Sequence, residues 1–142
     1  MKKIILFFII CSIGVKSYGQ EKYFNSEKEI QDFSENVMLL FNQNKVSEAF
    51  LLLNDYWPIP KTEVELIEEK TIKGLNTVES IYGKAKGIKK INYSNLENIT
   101  IRETYFSLYR VSALRFIFIY YKTEKGWIVN QFKWDEDFED EF

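Results

Sequence analysis

The sequence predicts an α+β fold: three N-terminal helices packed on one face of a four-stranded antiparallel meander. Three observations predict it. Apolar residues recur at helical spacing up to about Gly87 and alternate in strand-like fashion after it. The breaks between the later segments are two to five residues long, enough for hairpins but too short for parallel crossovers. The composition, 46% hydrophobic, 17% aromatic and 28% charged over 142 residues, is that of one globular domain.

The first residues have a separate logic. Met1-Lys2-Lys3 is basic, Ile4 to Val15 is an apolar run interrupted by Ser12 and Gly14, and Ser17-Tyr18-Gly19 ends on a small residue. This pattern predicts a signal peptide over residues 1–19, cleaved after Gly19, and hence an exported protein, periplasmic or extracellular. The run falls short of the ~20 apolar residues that span a bilayer, so no membrane anchor is expected after cleavage. Ile10 precedes Cys11, where lipid attachment would need a small residue. Cleavage would leave 123 residues; losing Lys2, Lys3 and Lys16 would take the net charge from −2 to −5. The sole cysteine, Cys11, would leave too, so no disulfide is expected and the core must supply the stability.

Each element follows from local chemistry. Ser26-Glu27-Lys28-Glu29 is a capping box, and Ile30, Phe33, Val37, Leu40 and Phe41 form one face of a helix from Glu27 to about Gln43. Asn44-Lys45 breaks it. Val46, Ala49, Phe50 and Leu53 continue on a shorter helix ending near Tyr56, before Pro58 and Pro60. Thr62-Glu63-Val64-Glu65 is read as a second capping box, opening a helix striped by Val64, Ile67, Thr71, Leu75, Val78 and Tyr82. Gly83 stands where a left-handed cap would close it. Strands are expected near Ile88–Tyr93, Ile99–Tyr109, Ser112–Tyr121 and Trp127–Trp134, with turns at Ser94-Asn95, Arg110-Val111 and Thr123–Gly126. On the third strand, Leu114, Phe116, Phe118 and Tyr120 share a face, and this even-numbered face is expected to meet the helices. The domain is drawn as residues 20–134, followed by an acidic tail, 135–142, expected to be exposed or frayed.

The chain has no histidine. That excludes imidazole acid–base catalysis, serine–histidine and cysteine–histidine nucleophiles, and His/Cys zinc sites. The acidic balance argues against nucleic acid as a partner. No cofactor and no metal site is expected; the run Asp135 to Glu141 lacks the glycine and alternating spacing of a calcium loop.

Tyr82-Gly83-Lys84, the run Arg115-Phe116-Ile117-Phe118-Ile119-Tyr120-Tyr121-Lys122, and Gly126-Trp127-Ile128-Val129-Asn130-Gln131-Phe132 carry a resemblance. Together with the element order they are similar to small secreted bacterial proteins of the nuclear-transport-factor-2-like (cystatin-like) superfamily. The resemblance implies a cone-shaped α+β fold and pairing of two copies through the sheet. Enzymes of that superfamily, such as steroid isomerases and dehydratases, place acids, tyrosines and often histidines in the cone. Here no strand residue before Trp134 is Asp, so the resemblance implies a fold rather than a reaction.

Six residues are candidates for ligand or partner contact. Glu103 and Tyr105 share a strand face and suit an acid–hydroxyl pair with a burial-raised carboxyl; beside Arg102, a surface ion pair and a half-buried tyrosine is the competing reading. Tyr56 and Trp57, before Pro58-Ile59-Pro60, make either a rigid aromatic rim or a plug of the helical layer. Tyr109 and Trp127, with Tyr105 and Tyr121, make either an exposed aromatic sheet face that binds a partner or a second copy, or a surface covered by the helices and the strand twist. Lys84, Lys86, Lys89 and Lys90 form a basic cluster suited to an anionic partner, or to guarding an edge strand. The expected function is therefore an exported, non-enzymatic module that binds a small apolar ligand or a protein. The alternatives are a small isomerase-, dehydratase- or hydrolase-like enzyme using Glu and Tyr, or an inhibitor-like protein presenting Trp57 to Pro60.

Overall fold

A computed structural model describes residues 22–142. The expected signal peptide and its cleavage after Gly19 lie outside the described residues. Three helices come first: α1 (Glu27–Asn42), α2 (Val46–Tyr56) and α3 (Lys61–Tyr82). Four strands follow: β1 (Gly87–Leu96), β2 (Thr100–Leu108), β3 (Ala113–Thr123) and β4 (Gly126–Asp135). The sheet is an antiparallel meander in the order β1-β2-β3-β4, and the helices pack on one of its faces. The predicted fold class and the helix and strand count are those observed.

The helices are set by their ends and stripes. Ser26 Oγ accepts from Glu29 N–H at 3.2 Å, and the Glu29 carboxylate reaches back to Asn25 N–H at 2.8 Å, so two otherwise orphaned donors are satisfied at the start of α1. Ile30, Phe33, Val37 and Phe41 are buried as the spacing requires, joined by Ser34 and Met38. The opening of α3 differs from expectation. Pro60 occupies the N-cap and no side chain caps the helix; Thr62 is already inside it. At the N-cap a proline costs no intrahelical bond, because the N–H it lacks would have been an orphan there. Gly83 does have positive φ (83°), but its ψ of −168° is extended rather than left-handed helical, a region open essentially to glycine alone.

The even-numbered face of β3 meets the helices. Leu114, Phe116, Phe118 and Tyr120 are buried in one core with Ile30, Val37, Phe41, Phe50 and Leu53. Phe132 of β4 is its aromatic hub: Phe41 stacks on it at 5.4 Å between ring centres, and Phe50 and Phe118 meet it at 5.8 and 5.2 Å. Each such ring contributes ~1.5–3 kcal/mol on burial. Trp134 closes the side under α3, its indole N–H donating to Thr71 Oγ1 at 3.2 Å and its ring lying over Gly74. A Cβ at Gly74 would sit 2.6 Å from that ring, so glycine is what lets α3 approach.

Two bulges bend the sheet. One falls between Lys90 and Asn92 on β1, the other opposite Ile119 and Tyr120 on β4. The first turn also differs from expectation. β1 runs through Ser94 and Asn95 to Leu96, and the reversal falls at Glu97 and Asn98, both at positive φ (53° and 56°). Asn95 Oδ1 accepts from Asn98 N–H at 2.9 Å, so the asparagine read as a turn residue braces the turn from the strand before it.

The C-terminal tail departs most from expectation. Glu136, Asp137, Glu139 and Asp140 are exposed, but the segment is tied across the sheet face opposite the helices. Asp135 receives two hydrogen bonds from Arg115, each 2.8 Å, and Glu141 receives one from Arg115 at 3.0 Å and one from Arg102 at 3.1 Å. Phe138 packs on Phe106 with ring centres 5.0 Å apart. Acidic composition hid two anchors, Phe138 and Glu141, whose partners lie on β2 and β3.

Candidate functional site

Glu103 is the centre of the most unusual chemistry in the described residues. It sits in the middle of β2 with 0% of its surface exposed, on the face that meets α1. Its Oε1 accepts from Ser34 Oγ of α1 at 3.3 Å. Its Oε2 accepts from the Tyr105 hydroxyl at 3.2 Å and pairs with Lys90 Nζ at 3.2 Å. Ser34 Oγ also bonds the Tyr120 hydroxyl, and donates to Ile30 O at 3.1 Å in alternation with its carboxylate bond. A serine, a lysine, two tyrosines and a glutamate from four elements thus form one cluster between helix and sheet.

The β1 bulge builds part of it. In a regular strand, residues three apart point to opposite faces. The bulge sets Lys90 opposite Tyr105 and Tyr93 opposite Glu103, so both face inward. Lys90 Nζ then lies 5.5 Å from the Tyr105 ring centre and 5.9 Å from that of Tyr93, within cation–π range. Tyr93 donates its hydroxyl hydrogen bond to Glu27 at the start of α1, and Asn95 Nδ2 donates to the other Glu27 oxygen at 2.6 Å.

Burial sets the proton affinities. It pushes the Glu103 carboxyl above its ordinary value, and the Lys90 ammonium beside it pulls partly the other way. Burial likewise raises Tyr105 and Tyr120, with the Glu103 charge adding to both. Tyr93 is pushed up to about 12, first by burial and then by its bond to Glu27. Tyr93 and Tyr105 use their hydroxyls to donate to Glu27 and Glu103.

The acid–hydroxyl pairing of Glu103 with Tyr105 is therefore present, and the surface ion pair with a half-buried tyrosine is not what this strand forms. Arg102 points to the opposite face and belongs to the tail. The other candidates divide. Trp57 is buried against Phe132, 6.4 Å between ring centres, with its indole N–H unpartnered. Tyr56 stacks on Phe24 at 3.9 Å. Trp127 is buried, and its backbone exchanges two 2.9 Å hydrogen bonds with Phe24, which extends the edge of β4. The segment from Tyr56 to Trp57 thus plugs the core, and of the four sheet aromatics read together only Tyr121 is exposed. Lys84, Lys86, Lys89 and Lys90 do not act as one patch, because Lys90 turns inward to Glu103.

Tyr109 lines an open cleft. This cleft, of about 390 Å³, lies between the end of α1, α3 and the segment leading into β1. Asn42, Asn44, Glu79, Lys84 and Leu75 line it with Tyr109. Asn42 Oδ1 is buried without a hydrogen-bond partner, whereas Asn44 Nδ2 donates to Glu79 at 3.3 Å. Burial raises the Tyr109 hydroxyl above its ordinary value. Composition gave no hint of this cleft: its polar residues sit at helix ends, where amides and lysines are ordinary, and only the chain reversal at Asn44 (φ 58°) gathers them.

Among the described residues no group of three or more His, Cys, Asp or Glu is arranged to hold a metal ion. No helix there is long and apolar enough to cross a membrane. No protein-family model, curated protein or solved structure matches the chain.

Proposed function

We propose that this chain is an exported, non-enzymatic binding module of the nuclear-transport-factor-2-like cone type, holding a small polar ligand in the cleft beside Tyr109. The observation that carries the non-enzymatic reading is the closure of the Glu103 cluster. Its Oε2 takes donors from Tyr105 and Lys90, its Oε1 shares the Ser34 hydroxyl, and the residue has no exposed surface through which a substrate could reach it. A general base needs a free lone pair facing a substrate proton. Glu103 instead joins α1 to the sheet.

The cleft supports the choice of ligand. It offers a cation (Lys84), a carboxylate (Glu79), an unpartnered amide oxygen (Asn42) and an aromatic hydroxyl (Tyr109) around one volume. That set suits a small molecule carrying both a donor and an anionic or strongly accepting group.

A thermal-shift screen of small amino acids, sugars and nucleosides tests it. A ligand at 100 times its Kd adds ~2.7 kcal/mol of stability, on the order of 10 °C for a domain of this size. The expected result is a stabilising compound that is recovered unchanged by NMR and loses its effect in Tyr109→Ala. Turnover of the compound, a screen with no shift, or an equal shift in the variant would overturn the proposal.

A further inference from the structure

The sheet face opposite the helices carries two arginines that need a carboxylate. Arg115 keeps only 4% of its side chain exposed and spends it on Asp135 and Glu141. Arg102, two-thirds buried, bonds the same Glu141 oxygen, and that carboxylate is itself only 6% exposed amid exposed acidic neighbours. Beside them Phe106, paired with Arg115 across the ladder, receives the Phe138 ring. Thr104 lies between Arg102 and Phe106 on the same face, fully buried, and its hydroxyl has no hydrogen-bond partner.

The segment that fills this face is loosely built. It places six acidic residues among eight, most of them in solvent, and repulsion between them favours its release. Beyond Asp135 the segment is held to the sheet by Phe138 and Glu141, with a longer pairing of the exposed Asp140 to Arg115 at 3.6 Å. When the segment lifts, Arg102 loses its carboxylate, Arg115 keeps Asp135 alone, and Phe106 loses the ring that covers it. Arg102 is then left without a carboxylate beside the freed NH1 side of Arg115, so the open face favours another carboxylate.

We propose that Arg102, Arg115, Phe106 and Thr104 form a receptor site for an acidic peptide in which a phenylalanine precedes a glutamate by three residues, and that Phe138 and Glu141 occupy it in cis as a built-in competitor. The partner is a protein with an exposed segment of that chemistry. Guanidinium–carboxylate bonds fix its register, and the aromatic contact sets the spacing. The tethered tail competes at high effective concentration, so the closed protein binds such a peptide weakly and the opened one binds it well.

The test uses the full-length chain carrying F138A and E141Q, and a fluorescently labelled synthetic peptide with the sequence of residues 134–142. Fluorescence anisotropy should give at least tenfold tighter binding to this variant than to the unsubstituted protein. A peptide carrying E141Q, or a scrambled peptide of the same composition, should not gain. Adding Arg102→Gln to the opened protein should abolish the gain. If circular dichroism finds the double variant unfolded, E141Q alone, which leaves Phe138 on Phe106, should show a smaller gain of the same kind. Equal binding to opened and unsubstituted protein, or equal binding of the scrambled peptide, would overturn the proposal.

Discussion

Phe118→Ala should destabilise the protein by ~3–5 kcal/mol, and Ile119→Ala by no more than ~2 kcal/mol. The two residues are neighbours on β3, so strand propensity and position in the sheet are nearly matched. They differ in face. Phe118 is fully buried and touches the rings of Tyr105, Phe132 and Tyr120 at 6.0, 5.2 and 6.4 Å between centres. Its removal leaves a cavity that the surrounding rings cannot fill without leaving their own contacts. Ile119 lies on the opposite face, part-buried, and borders an open groove of about 310 Å³ with Arg102 and Leu96. Water can enter where its side chain is cut back. Urea denaturation of both variants checks this, and the reverse order would mean that the helices cover the odd-numbered face.

Lys90→Met should cost about 3 kcal/mol at neutral pH, and the cost should shrink as the pH falls toward 4. The magnitude is the low end of what breaking a buried ion pair costs, because Lys90 keeps 34% of its side chain in water while Glu103 keeps none. The sign follows from linkage. Burial raises the Glu103 carboxyl in the folded protein above its ordinary 4.5, so the folded state holds that proton more tightly than the unfolded state. Stability from this group is therefore full below about 4.5 and falls as the pH rises toward the folded value. Lys90 limits that fall by favouring the charged form. Without it the folded value climbs further, and the penalty at neutral pH grows. In acid, Glu103 is neutral in both states and the lysine has little to offset. Urea titrations at pH 4 and pH 7.5 separate the cases. A cost that is equal at the two values, or larger in acid, would mean that Glu103 is not a buried charge held by Lys90.

Periodicity made the helices and the parity of β3 legible, because each buries a stripe that repeats at its own spacing. Local turn chemistry was less reliable. Thr62 looked like a cap, but Pro60 sits one residue before the helix and sets its start by geometry alone. Ser94-Asn95 looked like a turn, but Asn95 acts through its side chain on a reversal two residues further on. The Glu103–Tyr105 pair was readable from alternation along one strand. Its partners were not equally so. Lys90 and Tyr93 reach it only through a bulge, which alternation cannot foresee. Ser34 did carry a signal: a polar residue in the apolar stripe between Ile30 and Val37 of a helix needs a buried partner. Charge alone reads the tail as solvated, as Glu136, Asp137, Glu139 and Asp140 are, but it hides the spacing of Phe138 and Glu141, three apart, which one short turn of 3₁₀ helix places against the sheet.

Native mass spectrometry of the protein recovered from its own host's envelope or medium examines export and binding together. The expected spectrum has a chain beginning at Gln20 that carries a non-covalent small-molecule mass, and Tyr109→Ala loses that mass while keeping the same cleaved chain. A full-length chain with its first nineteen residues intact, or a cleaved chain that arrives bare, would contradict an exported module that holds a small polar ligand beside Tyr109.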